Sequence, residues 1–118
     1  MKNLLISFIA IFSLGGCAHH KLVHAPADRL YVVVDVDITD LKKYDQFLAL
    51  EAPILKKFDS YVAMDIRSED QKKRYIIVSF PDSETLDNFV KSAEFQKILP
   101  LNKESATSKI FHGRQHGN

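Results

Sequence analysis

Hydrophobic residues recur along this chain with two alternating periods. From Leu30 to Ile38 the sequence LYVVVDVDI places Val32, Val34, Val36 and Ile38 on one side of an extended strand. Tyr31, Val33, Asp35 and Asp37 fall on the other side, which starts apolar and ends acidic. Thr39-Asp40 supplies a helix N-cap, and the apolar positions Leu41, Tyr44, Phe47, Leu48, Leu55 and Phe58 then step by threes and fours, the period of an amphipathic helix. Pro53 inside that helix predicts a kink or a lost backbone hydrogen bond. After a turn at Asp59-Ser60 the period returns to two. Tyr61, Ala63, Asp65 and Arg67 alternate with Val62, Met64 and Ile66, and the polar SEDQKK makes a hairpin connection into Arg74–Phe80. RYIIVSF is apolar on both faces for most of its length, which predicts a central strand. Pro81-Asp82-Ser83 opens a helix with Leu86, Phe89 and Val90 on its apolar stripe. Ser92 to Ser105 continues helically with a bend at Pro100, and TSKIFH, Thr107 to His112, is the last strand.

The order strand, helix, strand, strand, helix, strand predicts an α+β domain of ferredoxin-like βαββαβ type, with a four-stranded antiparallel sheet and both helical segments on one face. Residues 30–113 form this domain and 114–118 a frayed tail. Before it lies a segment of another kind. Lys2 is followed by an apolar run from Leu4 to Leu14, shorter than a membrane span and closed by Gly15-Gly16-Cys17. This reads as a secretory signal peptide, and its ending resembles the bacterial lipobox. The resemblance implies cleavage after residue 16, a diacylglyceryl group on Cys17, and a tether over residues 17–29. The mature protein is then expected in the cell envelope, anchored to a membrane by lipid. Ala18 lacks the aspartate that retains some lipoproteins in the inner membrane, so the outer membrane facing the periplasm is expected if the source is Gram-negative.

Composition removes several classes. The 118-residue chain carries a formal net charge of +1 with no basic block, which argues against a nucleic-acid partner. Its one cysteine, Cys17, excludes a disulfide framework. The histidines stand in the tether (His19, His20, His24) and near the C-terminus (His112, His116), without Cys, Asp or Glu at ligand spacing, so no metal site is expected.

Four short motifs in order, YVVVDVDITD with Tyr44, VSFPD (Val78 to Asp82), SAEFQ (Ser92 to Gln96) and Pro100-Leu101, resemble the domain of unknown function 1330 family over roughly Leu30 to Gly113. The resemblance implies a ferredoxin-like subunit of the dimeric α/β-barrel superfamily, in which sheets from two chains pack face to face. A homodimer is therefore expected, with Tyr31, Val33, Asp35 and Asp37 directed into the inter-sheet space. Two departures stand out: Asp59-Ser60 where the family usually has glycines, and a short SEDQKK connection where it has a longer glycine-bearing loop.

The superfamily includes cofactor-free monooxygenases, isomerases and haem enzymes, so the fold does not select a reaction. No histidine lies between Leu30 and Phe111, which argues against a haem ligand, and no cofactor is expected. The chain has no tryptophan, and Asn88, Asn102 and Asn118 lie off the predicted strands, unlike the pockets of quinone-forming monooxygenases. What remains is an acid/base pocket. Asp35 and Asp37 are candidate bases, Arg74 at the mouth of the third strand an orienting group, and Tyr31, Asp65 and Arg67 further ligand contacts, with Ser79 at the far end. The competing reading pairs the aspartates structurally with Arg67, Arg74 or Lys109. The leading functional expectation is a lipid-anchored protein that binds a small hydrophobic molecule or is non-catalytic. The alternatives are a cofactor-independent isomerase or monooxygenase of a small hydrophobic metabolite, and an envelope interaction scaffold.

Overall fold

The computed structural model describes residues 25–116. The leader, Cys17 and the tether histidines His19, His20 and His24 lie outside the described residues. Strand β1 (Leu30–Ile38) is central, flanked antiparallel by β3 (Lys73–Phe80) and β4 (Ala106–Arg114), and β2 (Tyr61–Arg67) pairs with the outer side of β3. The sheet order β2-β3-β1-β4 is that of the ferredoxin-like arrangement. Among the described residues three helices accompany it: α1 (Leu41–Lys57), α2 (Ser83–Lys91) and α3 (Ala93–Ser105).

Each helix begins where a short polar side chain can take an otherwise free backbone N–H. Asp40 accepts from the Lys43 amide at 3.1 Å, Asp82 from Thr85 at 2.7 Å, and Ser92 from Phe95 at 3.2 Å. Ser92 ends α2 and caps α3, which divides the second helical half in two. Helix α1 runs through Pro53 and α3 through Pro100. The α1 terminus is followed by Asp59 at φ 59°, a left-handed position that favours glycine.

The core lies between the helices and the Val32, Val36, Ile38 side of β1. Val36 is 1 % exposed, Tyr44 and Phe80 2 %. Phe89 joins the two halves, with ring centroids 5.4 Å from Phe80, 5.7 Å from Phe58 and 4.5 Å from Phe95.

Three features depart from the sequence expectation. Strand β4 continues to Arg114, so Gly113 and Arg114 pair with Tyr31 and Leu30 instead of fraying. The end of the expected tether is also fixed: Arg29 Nε donates to Ser79 Oγ at 2.6 Å, Arg29 Nη2 to the Asp59 carbonyl at 2.7 Å, and the Tyr31 hydroxyl to the Pro26 carbonyl at 3.0 Å. Finally, β2 contains a bulge. Its register against β3 steps from Val62↔Val78 to Met64↔Ile77, leaving Ala63 unpaired.

Candidate functional site

The bulge redistributes the candidate residues. Strict alternation groups Asp65 and Arg67 with Tyr61. The extra residue moves them to the opposite face, where Asp65 pairs with Ile76 and Arg67 with Arg74. That face is the helix side, since Ile76 and Arg74 stand opposite Val34 and Val36. Tyr31, Asp35 and Asp37 stay on the other, open face, so the aspartates expected to meet inside one space lie on two sides of the sheet. Asp35 is exposed opposite Tyr75 and Lys109, and Asp37 binds Lys73 Nζ at 2.8 Å. Asp37 is thus ion-paired, with Lys73 and not with the Arg67, Arg74 or Lys109 expected as structural partners. Tyr31 is 8 % exposed, and burial raises its hydroxyl above the ordinary tyrosine value. Ser79 is fully buried on the open face beneath Arg29.

Arg74, the second residue of β3, is 5 % exposed beneath the helices. Its Nε donates to Asp65 Oδ1 at 2.7 Å and its Nη2 to Asp65 Oδ2 at 2.9 Å, a two-point ion pair. Its Nη1 donates to the Tyr44 hydroxyl at 2.9 Å. Burial works against the guanidinium charge, but Asp65 and Tyr44 outweigh it and hold Arg74 above its usual value. The hydrogen bonds from Arg74 hold Asp65 below the usual carboxylate range. Burial raises the Tyr44 hydroxyl, with Arg74 opposing. Arg67 closes the outer end of this row, 3.2 Å from Asp45.

Beside the row is a cavity of about 220 Å³ between helices and sheet, walled by apolar side chains including Val34, Leu48, Phe80, Phe89 and Leu99. Arg74, Tyr44 and Glu51 are on its lining, and Asn102, Ser108 and His112 reach it from α3 and β4. Glu51 was not anticipated as a site residue. Seven residues after Tyr44 on α1, it faces inward in a half-buried position, and burial raises its carboxyl to about 7, with Arg74 pulling the other way. The sequence did carry a signal: Glu51 stands three residues after Leu48 and four before Leu55, so it is a carboxylate set into the apolar stripe itself. Asn102, set aside because it is on no strand, also reaches the cavity, from a helix.

The open face has a larger hollow, about 430 Å³, lined by Tyr31, Val33, Met64, Ile77 and Phe111. It gathers no comparable set of buried ionisable groups. The helix-side cavity does, with a carboxyl poised near neutrality opposite a charged guanidinium. That combination can accept or give a proton and stabilise charge on a bound molecule. Among the described residues, no three His, Cys, Asp or Glu side chains cluster as a metal site requires.

The structure is similar to SnoaB, a cofactor-independent oxygenase from Streptomyces nogalater, with TM-score 0.66 and 14 % identity over 78 % of this chain and 97 % of that one. A candidate antibiotic biosynthesis monooxygenase from Bordetella bronchiseptica matches with TM-score 0.61 and 14 % identity, covering 75 % of this chain and 98 % of that one. A protein of unknown function from Rhodopseudomonas palustris matches with TM-score 0.66 and 7 % identity, covering 86 % of this chain and 93 % of that one. At such identities the likeness establishes the fold alone. No curated protein matches the chain in sequence. The family model of the domain of unknown function 1330 matches residues 29–112, and the chain belongs to that family.

Proposed function

We propose that this protein is a cofactor-independent enzyme that moves a proton on a small hydrophobic molecule held between its helices and sheet. The observation that carries the reading is Glu51, a carboxyl near neutrality in an apolar cavity that it shares with Arg74. Glu51 is the acid/base group, because a carboxyl with a value of about 7 is part ionised and part protonated at neutral pH. The Arg74 N–H groups not taken by Asp65 and Tyr44 are left to hydrogen-bond an oxygen of the substrate, and Tyr44 and Asp65 hold the guanidinium plane still. Asp35 and Asp37 have no part in this chemistry. Removal of a proton opens both an isomerisation and an attack on dioxygen, and the name of SnoaB as a cofactor-independent oxygenase favours the second.

Two measurements test the reading. Proton NMR follows exchange of α-protons with deuterated solvent across a panel of small apolar ketones. Wild type is expected to catalyse exchange, and E51Q to lose at least about a hundredfold. Equal rates in the two proteins remove Glu51 as the base. Oxygen-electrode traces with the same panel then separate isomerase from oxygenase.

The expected setting of the enzyme is a lipid anchor at Cys17 in the cell envelope and pairing of two copies through the open sheet face. The anchor rests on Leu14-Gly15-Gly16-Cys17. Its check is cell fractionation, where Cys17→Ser should move the protein from the membrane to the soluble fraction; retention on the membrane would end this part of the proposal. The pairing rests on the apolar residues of the open face, where Ile66 is 55 % and Phe111 61 % exposed.

A further inference from the structure

Arg74 is the buried cation of the cavity, yet its charge is already used. Two of its nitrogens bind the two oxygens of Asp65, and a third binds Tyr44. Glu51 shares the cavity with this guanidinium and is not among its hydrogen-bond partners. Arg67, the next cation along the row, is paired with Asp45 at 3.2 Å. The remaining polar groups reaching the cavity are Asn102 and Ser108, which are uncharged, and His112, which is exposed at the β4 end. Counted together, Asp65, Arg74 and Glu51 give the site a charge of zero or minus one, never plus one.

We propose that Asp65 determines the ligand class of this cavity: by binding Arg74 at two points it leaves no uncompensated positive charge there, so the site takes uncharged molecules and turns away carboxylates. The inference rests on the reading of this cavity as the binding site. A carboxylate entering it adds a negative charge beside Glu51, and the Arg74 guanidinium that could balance it is already paired with Asp65 behind the lining. It is held only if Glu51 takes up a proton or Arg74 leaves Asp65, and each route opposes binding. An uncharged molecule with one hydrogen-bonding end meets no such penalty. A guanidinium has five N–H donors, and three are accounted for on Arg74, which leaves donors for a ligand oxygen beside the Glu51 carboxyl.

The device depends on the β2 bulge. Without the extra residue at Ala63, Asp65 would face the open side of the sheet and Glu51 would be the remaining carboxylate for Arg74. The cavity would then lack its acid/base group in a near-neutral state, and its selectivity would change with it.

Fluorescence titration of the folded chain with 2-naphthamide and 2-naphthoate, nearly equal in shape and different in charge, tests the inference. Wild type is expected to bind the amide at least about tenfold more tightly than the carboxylate. In D65N the gap should close by about tenfold, and the Glu51 carboxyl, followed by carbon-13 NMR, should titrate at lower pH as Arg74 turns toward it. Equal or tighter binding of the carboxylate by wild type overturns the inference, and this comparison stands even if D65N does not fold. Binding of both probes without discrimination overturns the role of Asp65 alone and leaves the cavity as a binding site. Binding of neither overturns both.

Discussion

A half-buried glutamate is a cost that folding must bear, and its sign as a function of pH follows from where the proton is held. In the folded protein Glu51 keeps its proton to about 7, whereas an unhindered glutamate loses it near 4.5. Between those values the folded state binds more protons than the unfolded state, so stability falls as pH rises through this window and then levels off above it. The loss is on the order of 3 kcal/mol by the pH–stability relation, a large part of what a domain this size has in reserve. E51Q has no proton to lose and is expected to escape this decline. Thermal melts at several pH values check it: the melting temperature of wild type should drop below that of E51Q progressively between mildly acidic and neutral buffer. Parallel curves for the two proteins would mean that the carboxyl is well hydrated, and would weaken its assignment as a neutral-range acid/base group. Asp65 has the opposite sign. Its value is depressed by Arg74, so its contribution is present above the ordinary aspartate range and lost as pH falls through the depressed value.

At the scale of elements, the strands and helices were legible because their periods are clean. Val32, Val34, Val36 and Ile38 alternate without a break, and every helix starts at a residue whose side chain caps it. The site was less legible, for two physical reasons. A bulge inserts a residue without leaving a compositional mark when that residue is as plain as Ala63, and one inserted residue exchanges the faces of everything after it. Strict alternation therefore put Asp65 and Arg67 on the face opposite to the one they occupy. Strand alternation also carries no information about α1, where an acidic residue in an apolar stripe, Glu51 between Leu48 and Leu55, was the stronger signal. Arg74 shows the complementary case. On an apolar strand, an arginine opposite Val36 has to be buried, and a buried arginine needs a carboxylate partner. The end of α1 illustrates how a left-handed turn is held without glycine. Asp59 adopts the left-handed backbone expected of a glycine, Ser60 then donates through its hydroxyl to the Phe58 carbonyl, and the Asp59 carbonyl receives Arg29. The turn is tied to the segment that precedes β1, which is why that segment is ordered from Pro26 to Arg29.

For the whole molecule, the question is what covers the open face of the sheet. Its middle is apolar: Tyr61 is 43 % exposed, Met64 42 %, Ile66 55 %, Tyr75 41 % and Phe111 61 %. One end is charged, with the Asp37–Lys73 pair at 2.8 Å and Asp35 opposite Lys109. The other end is closed by the Pro26–Arg29 segment, where the Arg29 guanidinium lies 4.9 Å from the Tyr61 ring centre. An apolar field bounded by a polar margin and a folded strap has the anatomy of a protein interface. A second copy presents the same surface, and a two-fold pairing matches apolar centre to apolar centre. The prediction is that the domain sediments as a dimer and that Phe111→Asp sediments as a monomer at the same concentration. Phe111 contributes to the core very little at 61 % exposure, so the variant should fold, with an intrinsic stability within about 0.5 kcal/mol of an unpaired wild-type chain. A wild-type monomer across the micromolar range would leave the open face without this occupant. The helix-side cavity is built entirely within one copy, so its ligand-binding tests do not depend on that result. A dimer dissociated by Phe111→Asp with full binding retained would locate the two functions on opposite faces of one sheet.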